Sequence, residues 1–309
     1  MKIYKTLDTF TPPRYAVVTS GTFDGVHLGH QKILERIRQL ADLHGGETVL
    51  ITYWPHPRLV LYPEDTSLKL LSSFQEKAAL LEKAGIDHLI SIPFDEKFAS
   101  QSSEEFIRNV LVKTIGTKKL VIGYDHRFGK NREGSFEHLA ANAPTYGFEV
   151  EEISRQDIDE VGISSTKIRN ALNQGDIALA NSFLGYPYML NGTVVSGDKI
   201  GRTLGYPTAN VEIGFRNKLI PADGIYAVKI TVDKQEYKGM LYIGNRPTLE
   251  DNRKKIEVNL FDFSGSLYEK EIQLHIIEWI RADQKFESLE QLKERLQEDE
   301  KIAKQILFH

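Results

Sequence analysis

The order of strand-like and helix-like segments changes near residue 185, and this change constrains the fold more than any other feature. Before it, strands and helices alternate, as in "AVVTS", "KILERIRQLADL" and "ETVLITYW". After it, short strands follow one another between turns, as in "GIYAVKITVD" and "EYKGMLYIGN". The alternation predicts a parallel sheet with helices on both faces, and the run of strands predicts a small antiparallel β-barrel.

The chain has 309 residues, which is more than one typical domain and enough for two hydrophobic cores. We therefore expect an α/β Rossmann-like domain over residues 1–185 and a barrel domain over residues 186–309. A charged helix is predicted at the C-terminus, and its apolar stripe should pack on the barrel. The stripe consists of Leu289, Leu292, Leu296, Ile302 and Ile306.

The composition excludes several classes of protein. The 39 Lys and Arg residues against 43 Asp and Glu residues give a net charge of −4, so no basic excess is available for nucleic-acid binding. The absence of cysteine excludes disulfides and thiolate chemistry. No apolar run reaches membrane-spanning length, and "MKIYKTLDTF" lacks a signal-peptide core. We expect a cytoplasmic protein with small-molecule partners, and the oligomeric state stays open.

The segment "GTFDGVHLGH", residues 21–30, joins the first long strand to the first long helix. His27 and His30 are three residues apart, so they lie on one face of the helix start. Free N–H groups and the positive end of the helix dipole attract an anion there, and Gly21 and Gly29 allow a ligand to approach the backbone. This context favours phosphate binding over the alternative of two solvent-exposed histidines that cap a helix.

A pair of histidines at such a turn suits nucleotidyl transfer. The reaction needs no covalent nucleophile from the protein, only a positioned nucleoside triphosphate and donors for its charged oxygens. Residues 121–134 also bring several charges to a strand end, where α/β sheets bind ligands. Residues 162–172 place hydroxyls and cations at a helix start, which favours a bound anion. A polar loop and ordinary helix capping are the alternatives.

The barrel half contains a glycine-spaced segment, "GDKIGRTLGYPTAN", residues 197–210. It lacks the G-K-[ST] ending of a Walker loop, yet glycines such as Gly201 and Gly205 let backbone N–H groups cradle phosphates. Thr208 and Asn210 offer oxygen ligands to Mg²⁺.

Glu257 stands between the apolar residues Ile256 and Val258 in a predicted strand. We expect its side chain to point into the barrel, where a carboxylate is costly unless it has a function. One such function is that of general base for an alcohol. The alternative is a glutamate at the barrel rim that forms a salt bridge.

Together these motifs resemble the bacterial bifunctional riboflavin kinase/FMN adenylyltransferase family over nearly the entire chain. The H-x-G-H turn, "TYWPHP", "GYDHRFGKNREG" and "ISSTKIR" are similar to motifs of its nucleotidyltransferase domain. "GYPTAN" is similar to the G-x-P-T-A-N motif of its riboflavin kinase barrel.

The resemblance implies two reactions in series. In the barrel, ATP phosphorylates the ribityl 5′-hydroxyl of riboflavin, with Glu257 as the base and with Thr208 and Asn210 holding Mg²⁺ and phosphate. In the first domain, a second ATP transfers AMP to FMN, which gives FAD and pyrophosphate. In this domain the resemblance implies that His27, His30, Ser164, Thr166 and Arg169 bind the ATP phosphates, that Asp24 shapes the same turn, and that His56, Asp125 and Arg127 lie near the flavin. The glycines expected at the phosphate sites are Gly21 and Gly29 in the first domain and Gly201 and Gly205 in the barrel.

The chain departs from the family pattern at a few positions. Asn259 stands where E-x-H has histidine, Glu269 where glycine is usual, Tyr186 where arginine is common, and His126 where phenylalanine is usual. Asn259 and Glu269 lie in the kinase half, so phosphorylation is the activity that they put in question. Two alternatives therefore stay open: a monofunctional FMN adenylyltransferase with a flavin-binding barrel, and a non-catalytic flavin-sensing regulator.

Overall fold

A computed structural model describes residues 1–124, 127–130, 133–154, 162–196, 205–244 and 254–308. The chain divides into two compact units, Met1–Ser164 and Ser165–His309. The first contains a parallel sheet and the second a closed antiparallel barrel. The predicted fold class is thereby confirmed.

In the described part of the first unit, the sheet has the strand order β1-β4-β3-β2-β5-β6, and every neighbouring pair is parallel. From β2 the chain runs outward through β3 and β4 and then crosses to β5 on the other side of β2. The carboxyl end of β2 is therefore a topological switch point, where open α/β sheets bind ligands. The strands are β1 (Lys2–Tyr4), β2 (Ala16–Ser20), β3 (Glu47–Trp54), β4 (His88–Pro93), β5 (Thr117–Gly123) and β6 (Glu149–Ile153).

Helices cover both faces of this sheet because successive strand residues point to opposite faces. Val17 packs with Leu34 and Ile37 on one face, and Val18 packs with Ile107 on the other. The segment "EEFIRNVLVKTI", residues 104–115, continues a short α-helix as a π-helix. The helices are α1 (Leu28–His44), α2 (Pro57–Leu61), α3 (Phe74–Lys83), α4 (Glu96–Ala99), α5 (Ser103–Glu105), the π-helix (Phe106–Thr114) and α6 (Phe136–Tyr146).

The described strands of the second unit close into a barrel in the order β10-β11-β8-β7-β12-β9, and among these strands closure leaves no sheet edge exposed. Strand β8 begins at the end of the segment 197–210, which the sequence predicts to be a phosphate-binding turn, so the sequence does not predict this strand. The elements are α7 (Ser165–Gln174), α8 (Ile177–Leu184), β7 (Tyr188–Val195), β8 (Ala209–Glu212), β9 (Gly224–Val232), β10 (Gln235–Gly244), β11 (Lys255–Leu260), β12 (Glu271–Arg281) and α9 (Leu289–Phe308).

Helices α7 and α8 pack with the barrel. The Leu172 carbonyl accepts a hydrogen bond from the Ala222 N–H at 3.0 Å. The Asn181 amide donates to the Ile276 carbonyl at 3.0 Å and accepts from the Tyr188 N–H at 2.7 Å. The structural division at residues 164 and 165 precedes these helices, whereas the boundary predicted from the sequence, at residues 185 and 186, follows them.

The C-terminal helix α9 packs on the outer face of the barrel, as predicted. Ala303 and Leu307 are buried against Ala227 and Met240 of the barrel wall. The predicted stripe is wrong at its first position, because Leu289 is 58% exposed.

The buried face of α9 also includes a carboxylate. Asp299 is fully buried and accepts hydrogen bonds from the Arg281 guanidinium on β12 at 2.7 and 2.9 Å. Helical periodicity could not reveal this contact, because the partner that makes Asp299 tolerable in the interior comes from a distant strand.

Glu269 adopts the left-handed conformation in the turn before β12, with φ +61°. Its N–H donates to the Val194 carbonyl at 3.0 Å, which fixes the turn. For a residue with a Cβ this conformation costs roughly 1–2 kcal/mol, a cost that glycine avoids. The departure from the family glycine thus adds strain to a turn.

Candidate active sites

The turn after β2 is fixed by a buried aspartate. The Asp24 carboxylate accepts hydrogen bonds from the N–H groups of Leu71 at 3.0 Å and Ser72 at 3.1 Å. Phe23 and Gly25 adopt left-handed conformations, with φ +47° and +80°. A Cβ on Gly25 would lie 2.7 Å from the Leu71 side chain, so only glycine fits there. These contacts suit the role of Asp24 in shaping the turn.

His27 and His30 come together at the start of α1. His27 is the N-cap residue, and its Nδ1 accepts from the His30 N–H at 3.4 Å. The two imidazole rings stack with centroids 3.7 Å apart, and the Phe23 ring lies 4.8 Å from the His30 ring. His27 does cap the helix, but it is only 6% exposed, so the alternative of two solvent-exposed histidines does not fit.

His30 is held in its neutral form. Burial lowers its pKa well below the usual value, and the nearby charges of His27 and Lys77 lower this pKa further. The ring Nδ1 is buried and has no hydrogen-bond partner among the described residues. A buried ring nitrogen in this state calls for a partner such as a ligand oxygen. A neutral imidazole at this position can donate one N–H to an oxyanion.

Lys77 on α3 is a charged residue of this region that the sequence analysis missed. Its side chain is almost fully buried, and its ammonium donates to the Thr22 carbonyl at 2.7 Å and to Thr52 Oγ1 at 3.3 Å. The ammonium also lies 5.3 Å from the centroid of the Trp54 ring. Burial lowers the pKa of Lys77 to about 8, although the Asp24 carboxylate opposes this shift. No motif marked this residue, because it lies in an ordinary amphipathic helix.

Replacing Lys77 with methionine is expected to stabilise the protein at pH 7. The pKa of Lys77 is about 8 in the folded protein and the ordinary 10.5 in the unfolded chain. At pH values between these two, Lys77 is protonated in the unfolded chain but neutral in the folded protein. The contribution of this lysine to stability therefore falls as pH decreases through that window, by on the order of 3 kcal/mol in all. Thr52 Oγ1 still donates to the Thr22 carbonyl at 3.3 Å, so the variant leaves that acceptor partnered.

The measurement is the free energy of unfolding of wild type and Lys77→Met at several pH values between 7 and 10.5. Denaturant unfolding followed by Trp54 fluorescence in a Trp279→Phe background reports the first unit, since the chain has only two tryptophans. The free energies of unfolding of wild type and Lys77→Met should differ most at pH 7, and this difference should become smaller as pH rises. Lys83→Met, which removes an exposed lysine of α3, is the control. A difference that stays constant with pH would contradict the prediction.

The remaining candidates of the first unit lie on different elements. Gly21 directly follows β2, and Gly29 is buried in the first turn of α1. His56 is buried after β3, and its Nδ1 accepts from the Arg58 N–H at 3.2 Å. Because β2 and β3 are parallel neighbours, their carboxyl ends bring Gly21 and His56 to the same edge of the sheet.

The other phosphate and flavin candidates are placed as follows. Arg127 is exposed in the segment after β5. Ser164 is the last residue of the first unit. Thr166 is exposed and Arg169 half-buried in the first turns of α7, whose start at Ser165 agrees with the predicted helix start. Two candidates, Asp125 and Gly201, lie outside the described residues.

In the barrel, β8 and β11 bring the kinase candidates together. Asn210 pairs with Glu257 in the ladder between these strands. The Thr208 hydroxyl lies 3.4 Å from Glu257 Oε2, which it can approach as a donor. The Lys255 ammonium lies 2.5 Å from Glu257 Oε1. Glu257 thus forms the salt bridge that the alternative interpretation of this residue predicts. The Glu257 carboxylate also faces the Pro-Thr-Ala-Asn segment.

Glu257 lies on the outer face of the barrel wall, so the expectation that it points inward was wrong. Ile256 and Val258 are buried, and Val258 pairs with the fully buried Leu241 in the barrel interior. Since residues alternate along a strand, Glu257 faces outward on the same side as its partner Asn210. Alternation along the strand shows that the Glu257 side chain points to the opposite face from Ile256 and Val258. It does not show which of the two faces lies inside the barrel.

The segment before β8 is anchored from two sides. Gly205 adopts φ +85°, a conformation in which glycine is free of strain. The Tyr206 hydroxyl donates to Glu300 Oε2 on α9 at 2.9 Å. The Asn259 amide on β11 donates to the Pro207 carbonyl at 2.8 Å.

The parallel-sheet unit, with its histidine pair at the switch point, and the closed barrel, with its Gly-x-Pro-Thr-Ala-Asn segment, define a two-part transferase. Comparison with known proteins agrees with this class. Residues 10–167 match the FAD synthetase family model, and residues 184–307 match the riboflavin kinase family model.

Curated relatives match almost the whole chain. The bifunctional riboflavin kinase/FMN adenylyltransferase of Escherichia coli (strain K12) is 37% identical over 95% of this chain and 93% of its own length. The protein of the same name from Listeria monocytogenes is 38% identical over 92% of this chain and 90% of its own length. The chain belongs to the bifunctional riboflavin kinase/FMN adenylyltransferase family, which confirms the resemblance found in the sequence.

A solved structure described as a macrolide-efflux protein from Streptococcus pneumoniae has the same fold. It superposes with a TM-score of 0.88 at 31% identity and covers 98% of both chains. In the described part of this protein, the helices are too short or too polar to cross a membrane.

Proposed function

We infer that this protein makes FAD in two steps, by phosphorylating riboflavin to FMN with ATP and then transferring AMP from ATP to FMN. The observation that carries this inference is the match of both halves, each to its own catalytic family over nearly its full extent. Both relatives described above carry the bifunctional name, which supports this function over a monofunctional adenylyltransferase and over a flavin sensor. The substrates are ATP, riboflavin and FMN.

Adenylylation is proposed for the domain of residues 1–185. As AMP is transferred, negative charge builds up on the departing pyrophosphate, and preorganised donors lower the barrier. The stacked pair of His27 and His30, at a helix start and at the switch point of the sheet, supports this role. Gly21, Gly29, Ser164, Thr166, Arg169 and Asp24 are proposed to bind or shape the ATP phosphate site, and His56, Asp125 and Arg127 are proposed to lie near the flavin.

Phosphorylation is proposed for the domain of residues 186–309. Glu257 accepts the proton of the ribityl hydroxyl while the hydroxyl oxygen attacks the γ-phosphorus of ATP, the bond from this phosphorus to the β,γ-bridging oxygen breaks, and ADP leaves. The neighbouring Lys255 ammonium holds one carboxylate oxygen, at 2.5 Å, and orients the other toward Thr208. Gly201 and Gly205 are proposed to bring backbone N–H groups to the phosphates of ATP.

Magnesium fits the oxygen ligands of the barrel site. The Thr208 hydroxyl lies 3.4 Å from the Glu257 carboxylate, and Asn210 is the ladder partner of Glu257. No group of three or more His, Cys, Asp or Glu suited to a metal occurs in the described residues. Mg²⁺ is commonly held by one or two protein oxygens together with substrate phosphates. When bound, it would neutralise charge on the transferred phosphoryl group. Thr208 and Asn210 are the proposed ligands.

Two incubations test the proposal, one with riboflavin and a second with FMN supplied in its place. The purified protein is mixed with riboflavin, ATP and Mg²⁺, and riboflavin, FMN and FAD are then resolved by chromatography. We expect riboflavin to be consumed, with FMN as an intermediate and FAD as the final product. FAD formation from supplied FMN without consumption of riboflavin would identify a monofunctional adenylyltransferase. Flavin binding without either product would identify a sensor.

A further inference from the structure

We propose that Asn259 is a positioning residue of the kinase site, whose side-chain amide fixes the backbone that presents Thr208 and Asn210. The inference rests on the proposed kinase function of the barrel. It assigns a role to a residue that departs from the family pattern.

The contact that carries the proposal is buried. Asn259 is 8% exposed, and its Nδ2 donates to the Pro207 carbonyl at 2.8 Å. Asn259 follows Glu257 by two residues on β11, so both side chains leave the same face of the strand. The Asn259 amide that binds the Pro207 carbonyl and the proposed base Glu257 therefore lie on the same strand.

The ladder between β8 and β11 explains why a side chain is needed here. Its pairs are Asn210 with Glu257 and Ala209 with Val258, and β8 begins at Ala209. Pro207 has no N–H, so it cannot donate a backbone hydrogen bond to extend the ladder. The Asn259 amide supplies a link beyond the end of β8 instead.

Thr208 is therefore held on both of its sides. The residue before it is tied to Asn259, and the residue after it is paired with Val258. Because the hydroxyl of Thr208 lies only 3.4 Å from Glu257 Oε2, a small shift of this backbone changes the distance between a proposed ligand and the proposed base. Geometry of this kind matters to catalysis, since a misplacement of about 1 Å can cost about 100-fold in rate.

The backbone of Asn259 is itself closely packed. A Cβ on Gly239 of β10 would lie 2.1 Å from the Asn259 carbonyl oxygen, so the two strands approach as closely as glycine allows. The amide group thus extends from a fixed backbone. Both asparagine and the histidine usual in the family carry an N–H donor. Asparagine in place of the family histidine therefore keeps the N–H donor that this position requires, and it gives no reason to expect weak kinase activity.

The test compares variants that remove or keep the donor. Asn259→Leu removes it at similar volume, and Asn259→His keeps an N–H donor. We expect Asn259→Leu to lower kcat/KM for riboflavin phosphorylation by roughly 10- to 100-fold, while Asn259→His stays close to wild type. Adenylylation of supplied FMN in the same protein should not change. Tyr188→Phe is the matched control, because it also removes one buried hydrogen bond to a carbonyl of the barrel, at 2.7 Å from Leu219.

A second readout does not depend on activity. Hydrogen–deuterium exchange of the substrate-free protein should be faster at the amides of residues 208–210 in Asn259→Leu, and unchanged there in Tyr188→Phe. Wild-type exchange at these amides in Asn259→Leu, or wild-type phosphorylation, would overturn the proposal. So would an equal loss of phosphorylation in Tyr188→Phe, because Asn259 would then serve stability alone. If wild type itself does not phosphorylate riboflavin, the proposed function fails, and the exchange result still decides whether Asn259 fixes the segment.

Discussion

The change Glu257→Gln is expected to lower kcat for riboflavin phosphorylation by about 10²–10⁴, the usual contribution of a general base. Glutamine keeps the shape and volume of the side chain but cannot accept the proton of the ribityl hydroxyl. KM should change little, because the lost interaction belongs to the transition state. Steady-state assays of FMN formation measure the effect. Adenylylation of supplied FMN should stay at the wild-type rate.

The salt bridge to Lys255 provides a sharp control. Lys255→Met breaks the same ion pair, now 2.5 Å long, but keeps the carboxylate. If Glu257 is the base, Lys255→Met should retain far more phosphorylation than Glu257→Gln. If both variants lose the same small amount, Glu257 is only the structural partner of Lys255, and the base must be sought elsewhere in the barrel.

The change His30→Ala is expected to lower kcat for FAD formation from FMN by about 10²–10³, the typical cost of removing one preorganised donor to a developing oxyanion. The structure explains why alanine cannot compensate. The His30 ring stacks on the His27 ring, with centroids 3.7 Å apart, and the Phe23 ring lies tilted against it, with centroids 4.8 Å apart. Its removal takes away the donor and also one face of the packing that orients His27.

Assays of the two half-reactions separate this effect from misfolding. FMN formation from riboflavin should stay near the wild-type rate in His30→Ala. The matched control is His44→Ala at the other end of α1, an exposed histidine that stacks on Tyr15 with centroids 4.6 Å apart. This control should leave both reactions unchanged. An equal loss of both activities in His30→Ala would instead indicate a folding defect or a wrong site assignment.

The two departures in the kinase half differ in their structural meaning. Glu269 occupies a left-handed turn position at an energetic cost. Asn259 keeps a buried donor to the Pro207 carbonyl. The family pattern alone puts kinase activity in question at both positions. The structure shows local strain at Glu269 and a retained hydrogen bond at Asn259.

Local patterns predicted much of the architecture and part of the sites. The apolar run Ala16–Val18 predicted a buried parallel strand, and helical spacing predicted the helix that follows it. The spacing of His27 and His30 placed both rings on one helix start, and the structure stacks them there. These features were predictable because strand and helix periods act over a few residues, so the sequence carries them without reference to the rest of the chain.

The sequence by itself thus determined the class of each half, the strand–turn–helix that carries the histidines, and the motifs that identify the family. Only the tertiary structure decided which partner each buried polar group has. Lys77 meets the Thr22 carbonyl across 55 residues, Asn259 meets Pro207 across 52, and Tyr206 meets Glu300 across 94. It also decided that Glu257 faces outward and that α7 and α8 pack on the barrel. The physical reason is that periodicity specifies a face of an element, whereas the free energy of burying a charge or an amide depends on groups that only folding brings beside it.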